Sequence, residues 1–162
     1  MSELWKRSAV DVVELLRSGE ISPVEAVQAA IERIEAVDIK TNALPIRCFD
    51  RAIERAQRLD LTGHRQNPKS LCGLPIAVKD YNDVAGVRTT YGSPIFKDHI
   101  AERSDVTVAV LEHNGANPIA KSNVPEWAGG HTFNPVNGLT CNPWNLSRSA
   151  GGSSGGSAAA LA

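Results

Sequence analysis

A chain of 162 residues has the length of one ordinary domain, and its composition, 42% hydrophobic and 22% charged, is typical of a globular protein with a single core. The formal net charge is -1 and the Lys and Arg residues are scattered, so the sequence lacks the electrostatic footprint of a protein that binds nucleic acid or an anionic membrane surface. We expect neither partner.

The cysteines indicate a reducing compartment. They are odd in number, widely spaced and outside any Cys-x-x-Cys pattern, at Cys48, Cys72 and Cys141. The first residues contain no apolar signal region, and no run of about 18 apolar residues occurs anywhere. We therefore expect a cytoplasmic protein.

The sequence predicts neither a metal site nor a cofactor. Four histidines lack the spacing of metal ligands: His64, His99, His113 and His131. The glycines near the end of the chain are not followed by Gly-Lys-Ser/Thr, so they do not form a nucleotide-binding P-loop.

Two segments near the start of the chain have helical periodicity. The apolar residues of 8–18 recur at helical spacing. A second helix is predicted to begin after Ser22, because this residue is a favourable cap, Pro23 suits the first helical position and Glu25 completes a capping box. Its apolar stripe runs to about Val37.

The next segments complete a helical layer. A short extended piece over 43–46 leads to a third helix over 50–59, and then to a polar loop with Gly63, His64 and Pro68. We interpret residues 1–70 as one helical N-terminal layer.

From Gly73 onward the pattern changes to α/β. A short apolar run at 74–78 and another at 118–121 predict buried strands, and a helix is predicted between them, opened by Asp105. Strand, helix and strand at this spacing predict a βαβ unit with parallel pairing, so residues 71–162 begin an α/β core. Three apolar residues of the helix are predicted to face inward: Val106, Val110 and Leu111.

Five motifs follow one another in the second half of the chain. They are GLPIAVKD at 73–80, KSNVPEW at 121–127, HTFNPVNG at 131–138, NPWNLSRS at 142–149 and SRSAGGSSGGSAAALA at 147–162. In this order they resemble the amidase-signature family, which includes fatty-acid and peptide amidases and the glutaminase subunit of tRNA-dependent amidotransferases. The resemblance begins near residue 8, is strong after Gly73 and covers the first third of a typical member.

This resemblance implies a fold and a mechanism. The fold is α/β, the N-terminal part of the amidase-signature fold, with helices covering a mixed, mostly parallel sheet. The mechanism is a Ser, cis-Ser, Lys triad, with Lys79 as the base and Ser153 as the intermediate serine after a cis peptide bond from Gly152. Ser153 then relays a proton between the nucleophile and Lys79, which accepts it only as an uncharged amine.

The resemblance also implies a substrate pocket and a nucleophile. Gly129 and Gly130 lie where family members shape the pocket for a small-molecule or peptide amide. The nucleophile is a serine in a second Gly-Gly-Ser motif about two dozen residues after the intermediate serine, beside the oxyanion hole. Neither Ser154 nor Ser157 matches that position. We expect a fragment that is inactive alone.

Three interpretations of the whole chain remain open. The first is an amidase that hydrolyses a carboxamide through an acyl-enzyme, and the second is the glutaminase subunit of a tRNA-dependent amidotransferase. The third is a non-catalytic remnant that acts only through association. Because a few strands leave an open edge and an uncovered apolar face, we expect a homo-oligomer or association with a missing C-terminal portion.

Two further expectations concern packing. Pro118 occupies a predicted central strand although proline cannot donate to a ladder, so we expect that strand to be frayed or shortened. The three tryptophans are far apart in sequence, which favours core packing over a stacking platform for Trp5, Trp127 and Trp144.

Overall fold

The computed structural model describes residues 3–61, 67 and 69–162. The predicted polar loop with Gly63, His64 and Pro68 lies outside the described residues.

Three helices make up most of the N-terminal part of the chain. They are α1 (Ala9–Ser18), α2 (Pro23–Thr41) and α3 (Phe49–Leu61). The capping box predicted at Ser22 and Glu25 is present, with the Glu25 amide donating to the Ser22 hydroxyl at 3.2 Å. The helix continues beyond Val37, because no breaker intervenes before Asn42, which ends it in the left-handed conformation with φ 52°.

A three-stranded mixed sheet lies at the centre of the molecule. Its strands are β1 (Ile46–Arg47), β2 (Pro75–Lys79) and β3 (Asn117–Ser122), in the order β1-β3-β2. β2 runs parallel to β3, and β1 runs antiparallel to it. The helix α4 (Val106–His113) connects β2 to β3. The predicted βαβ unit and the predicted α/β class are confirmed.

The expectation of a frayed strand at Pro118 is wrong. All six residues of β3 are buried, and the strand pairs on both sides. The register changes from Ile76 opposite Pro118 to Ala77 opposite Ala120, so Ile119 forms a bulge. The ladder is therefore irregular at the position where proline has no amide to donate, and the Ile119 carbonyl accepts from the Cys48 amide on the other side at 3.0 Å.

The predicted orientation of α4 is also wrong. Val106 and Val110 are 80% and 53% exposed, and Leu111 is 42% exposed, whereas Val108 is buried. Val106 and Val110 are four residues apart and share one face of a helix, while Val108 lies roughly opposite. The helix therefore packs through Val108, and its other large apolar side chains face away.

The hydrophobic core lies between the N-terminal helices and the sheet. The largest cluster joins α2, α3, β3 and the last helix; its buried members are Val27, Ile34, Ala43, Leu44, Ala52, Ala56, Ile119, Ala120 and Ala159. The tryptophans do not join the core, contrary to expectation. Trp5, Trp127 and Trp144 are 47%, 50% and 80% exposed, and Trp5 lies under the Arg33 guanidinium at 3.8 Å.

Two small hairpins and a short helix follow β3. The hairpins pair β4 (Phe133–Asn134) with β5 (Gly138–Leu139), and β6 (Cys141–Asn142) with β7 (Asn145–Ser149); the helix is α5 (Gly155–Leu161). α5 packs against β2 and β3. Among the described helices, none combines the length and the apolarity needed to cross a membrane.

Candidate active site

The two residues predicted to act together lie in contact. Lys79 is the last residue of β2, and Ser153 lies two residues before α5. The Lys79 Nζ donates a hydrogen bond to the Ser153 Oγ at 2.9 Å, and both residues are half-buried. The peptide bond between Gly152 and Ser153 is cis, as the resemblance implies.

The loop before Ser153 packs against the segment that contains the predicted pocket glycines. The Thr132 amide donates to the Gly151 carbonyl at 2.7 Å. A Cβ atom added to Gly152 would overlap the Gly130 carbonyl, so the two backbones lie too close for a side chain. The structure therefore places the Gly130 backbone against the loop that leads to Ser153, and both Gly129 and Gly130 are exposed.

The start of α5 is held against the end of β3. The Gly156 amide donates to the Asn123 carbonyl at 3.2 Å. An added Cβ at Gly156 would collide with backbone atoms of Asn123 and would lie 2.6 Å from the Ala43 carbonyl oxygen. Gly155 donates to the Thr132 hydroxyl at 3.0 Å. Glycine at both positions lets the helix approach the sheet closely.

A second pair of hydroxyl groups lies next to the first contact. The Ser122 and Ser157 Oγ atoms are 2.7 Å apart. Ser122 is the last residue of β3 and the register partner of Lys79. The sequence reasoning rejected Ser157 as a nucleophile and did not identify Ser122. No local pattern in the sequence signals this contact, because Ser122 and Ser157 are 35 positions apart.

A buried ion pair lies directly behind the strand ends. Lys121 and Asp80 are both fully buried, with the Lys121 Nζ 3.2 Å from an Asp80 oxygen and 2.7 Å from the Thr89 hydroxyl. Burial lowers the pKa of Lys121, and the Asp80 carboxylate opposes this effect. Asp80 also accepts from the Thr90 amide at 3.1 Å. The pair joins both parallel strands to the loop at residues 89–92, and the sequence reasoning missed it.

A cluster of aromatic side chains connects this loop to the segment that contains the predicted pocket glycines. The rings of Tyr91 and Trp127 stack, with centroids 5.9 Å apart, and the Tyr91 hydroxyl donates to Asp83 at 2.9 Å. Burial and that hydrogen bond raise the pKa of Tyr91 to about 12. Phe96 meets both rings edge-on. Trp127 is therefore held next to Gly129 with half of its surface exposed.

The donor set of the site suits proton transfer between hydroxyl groups and an amine. In the part of the chain that the structure describes, no group of three or more His, Cys, Asp or Glu side chains is arranged to hold a metal ion. The side chains that meet at the strand ends are a lysine and three serines, besides the buried Lys121–Asp80 pair.

Comparison with known sequences finds one family. A family model described as Amidase matches residues 25–162. Indoleacetamide hydrolase of Bradyrhizobium diazoefficiens is 38% identical over 161 residues, which cover 98% of this chain and 31% of that protein. A glutamyl-tRNA(Gln) amidotransferase subunit of Carboxydothermus hydrogenoformans is 39% identical over 162 residues, covering 99% of this chain and 33% of that protein. The chain spans about a third of these relatives' length.

Solved structures give the same result. A vestigial protein complex described as revealing the evolutionary origins of an s-triazine catabolic enzyme, with inhibitor bound, superposes with a TM-score of 0.88 at 37% identity, covering 96% of this chain and 35% of that one. A bacterial aryl acylamidase superposes with a TM-score of 0.86 at 34% identity, covering 94% of this chain and 32% of that one. The complex of 6-aminohexanoate cyclic dimer hydrolase with its substrate superposes with a TM-score of 0.85 at 34% identity, covering 99% of this chain and 33% of that one.

Proposed function

Because the chain belongs to the amidase family, we propose that Lys79 and Ser153 are the general base and the proton shuttle of an enzyme that hydrolyses the C–N bond of a carboxamide. The observation that carries this proposal is the 2.9 Å hydrogen bond between the two side chains, beside a cis bond at Gly152. A lysine at a strand end is usually solvated, so its contact with a serine 74 positions away supports a specific role.

The proposed chemistry is acyl transfer to a serine. The Ser153 hydroxyl gives its proton to the neutral Lys79 amine while it takes the proton of the attacking serine, whose oxygen bonds to the amide carbonyl carbon. The proton returns by the same route to the leaving nitrogen, and the C–N bond breaks. Water, activated in the same way, then cleaves the acyl ester to a carboxylic acid. The attacking serine and the oxyanion hole come from outside these 162 residues.

The resting geometry suits a relay in both directions. In the resting contact Lys79 donates to Ser153, whereas the reaction needs the Ser153 hydroxyl to donate to a neutral amine. Both hydrogen bonds have heavy-atom distances near 2.9 Å, so the proton can move without displacement of either side chain. The buried Lys121–Asp80 pair supports the same arrangement by fixing the strand ends from which Lys79 projects.

A chimera tests this function. Residues 1–162 replace the matching segment of the Bradyrhizobium indoleacetamide hydrolase, and hydrolysis of indoleacetamide is measured. We expect activity in the chimera, no activity in the 162-residue chain, and a loss of at least about a thousandfold in kcat for Lys79→Ala and for Ser153→Ala. Changing both residues lowers kcat no further than changing one, because they act as a unit.

Matched substitutions control for folding. Ser154→Ala removes a neighbouring exposed hydroxyl that makes no capping hydrogen bond, and Lys97→Ala removes an exposed lysine. Both are expected to stay within about threefold of the chimera. An active chimera in which Lys79→Ala or Ser153→Ala keeps normal turnover contradicts the role assignment.

A glutaminase role in an amidotransferase is the second candidate. It is supported by glutamyl-tRNA(Gln) amidotransferase subunits of several bacteria that are 36–39% identical to this chain. The same chimera design, built on the Carboxydothermus protein and tested together with that enzyme's other subunits, measures glutamine-dependent amide transfer. Turnover of glutamine with little turnover of indoleacetamide in both chimeras favours this candidate.

The third candidate is a non-catalytic polypeptide that acts through association. It is supported by the exposed apolar side chains of α4 and by the similarity to a solved vestigial complex. We propose that the 162-residue chain alone self-associates. A chain that sediments as a monomer and unfolds cooperatively on heating contradicts this. We also propose a cytoplasmic location, because Cys48, Cys72 and Cys141 are odd in number, widely spaced and outside any Cys-x-x-Cys pattern; cell fractionation tests it.

A further inference from the structure

Two serines next to the proposed relay take no part in it. The Ser122 and Ser157 hydroxyl groups share a hydrogen bond of 2.7 Å. Ser122 is fully buried and Ser157 is half-buried. A buried hydroxyl pair of this kind ties together the two elements that carry it, because breaking the bond leaves a polar group without a partner.

The elements that the pair joins are those that carry the site. Lys79 and Ser122 are register partners at the ends of parallel strands. Ser153 lies two residues before α5, and Ser157 lies in the first turn of α5, four positions after Ser153. The Lys79–Ser153 bond therefore ties this segment to β2, and the Ser122–Ser157 bond ties it to β3.

A third contact lies between these two. The Gly156 amide donates to the Asn123 carbonyl at 3.2 Å, and glycine is needed there because an added Cβ would collide with backbone atoms. Serine has the shortest hydroxyl-bearing side chain, so the Ser122–Ser157 bond requires this close approach. Backbone contact at Gly156 brings α5 close to the sheet, and the hydroxyl pair is a further contact between α5 and β3.

We propose that Ser122 and Ser157 are positioning residues that hold Ser153 within hydrogen-bonding distance of Lys79. The catalytic consequence of this positioning rests on the proposed function. Neither serine touches a reacting atom, and both act through the orientation of α5. Without their bond α5 turns about its axis, and the Ser153 hydroxyl leaves Lys79 for part of the time.

The first test uses the 162-residue chain and needs no activity. Chains labelled with 13C in lysine are compared by NMR. The Cε signal of Lys79 is assigned as the one that is missing from the spectrum of the Lys79→Arg variant. We expect Ser153→Ala to shift this signal, and Ser157→Ala to move it part of the way toward the Ser153→Ala position. Alanine has a higher helix propensity than serine, so the shift does not arise from a weaker helix.

Matched variants separate the hydrogen bond from the side-chain change. Ser157→Thr and Ser122→Thr keep a hydroxyl and are expected to leave the Lys79 signal near its wild-type position. Ser154→Ala, one residue from the site and without a capping hydrogen bond, leaves it unchanged. Equal shifts in Ser154→Ala and Ser157→Ala overturn the proposal.

The second test uses the active chimera. Ser122→Ala and Ser157→Ala each lower kcat about five- to tenfold with KM within about twofold, on the scale of one hydrogen bond. The double variant loses no more than either single variant, because both remove the same bond. Multiplied losses in the double variant, or unchanged kcat despite lower stability, overturn the proposal.

Failure of the two proposals can be distinguished. An inactive chimera counts against the proposed function, and the Lys79 signal then decides the positioning role alone. A Lys79 signal that stays at the wild-type position in both alanine variants overturns the positioning role, whatever the chimera does.

Discussion

The carboxyl ends of β2 and β3 differ from the crossover helix α4 in how their side chains are used. At the strand ends the polar side chains bond to one another: Lys121 to Asp80, Lys79 to Ser153, and Ser122 to Ser157. On α4, which lies between the same two strands in sequence, large apolar side chains face away from the core. One βαβ unit therefore combines buried and half-buried polar contacts at the ends of its strands with exposed apolar side chains on its helix.

This contrast indicates which contacts the chain provides for itself. The strand-end contacts form within the chain, and their side chains are buried or half-buried. The exposed apolar side chains of α4 contribute to stability only when another surface covers them, by about 25 cal/mol for each Å² removed from water. Substitutions at the strand ends should therefore affect the chain itself, whereas substitutions on α4 should affect association.

The largest effect is expected at Lys121. Lys121→Met leaves the Asp80 carboxylate buried without its cation, which costs about 3–5 kcal/mol in the free energy of unfolding. Urea unfolding at pH 7 measures this loss. Adding Asp80→Asn restores part of it, because the amide carries no charge. A Lys121→Met chain as stable as the wild type means that the ion pair does not hold the strand ends.

Val110→Lys on α4 is the opposite substitution and makes the comparison quantitative. It adds a charge to the crossover helix at a position that is 53% exposed, so the free energy of unfolding changes by less than about 0.5 kcal/mol. The same substitution is expected to reduce self-association in sedimentation experiments. If it destabilises the chain as much as Lys121→Met does, the two regions do not differ as described.

The loss of stability expected for Gly156→Ala lies between those of Lys121→Met and Val110→Lys. Gly156→Ala places a methyl group against backbone atoms of Asn123 and Ala43, which cannot rotate away, so we expect a loss of about 2–3 kcal/mol. Thermal or urea unfolding measures it. Gly129→Ala is the matched control, since the nearest atom to its added Cβ is 3.8 Å away and its φ is -99°. Equal losses in both variants contradict a specific close approach at Gly156.

The sequence allowed the pairing of Lys79 with Ser153 to be predicted because motifs carry it, and the start of α2 because capping at Ser22 is local chemistry. It did not predict the orientation of α4. The sequence offers one apolar face with Val106, Val110 and Leu111 and another with Val108. Only tertiary packing decides that the Val108 face is buried.

The other misses also depend on tertiary contacts. A bulge at Ile119 accommodates Pro118 in a central strand, and the need for it appears only when the partner strand is known. Lys121 lies in a predicted buried strand, but the sequence does not show that Asp80 and Thr89 surround its amine. The Ser122–Ser157 bond joins residues 35 positions apart, a separation over which local patterns give no signal.

A pH-dependent effect is predicted for Cys48, which lies on the far side of β3 and donates its Sγ hydrogen to the Pro118 carbonyl at 3.4 Å. Burial raises the pKa of this thiol from 9.0 to about 11, against the lowering effect of Arg51. Because the folded pKa is the higher one, the neutral thiol stabilises the fold below pH 9, and this contribution is lost as the pH rises toward 11. Cys48→Ala should therefore be about 1 kcal/mol less sensitive to a change from pH 8 to pH 10 in urea unfolding. The constant difference between the two proteins at pH 7 reports the lost packing and the lost hydrogen bond to Pro118. Parallel pH dependences would mean that the thiol ionises as readily in the folded chain as in the unfolded one, and that β3 is less well shielded on this side than at its Lys121 end.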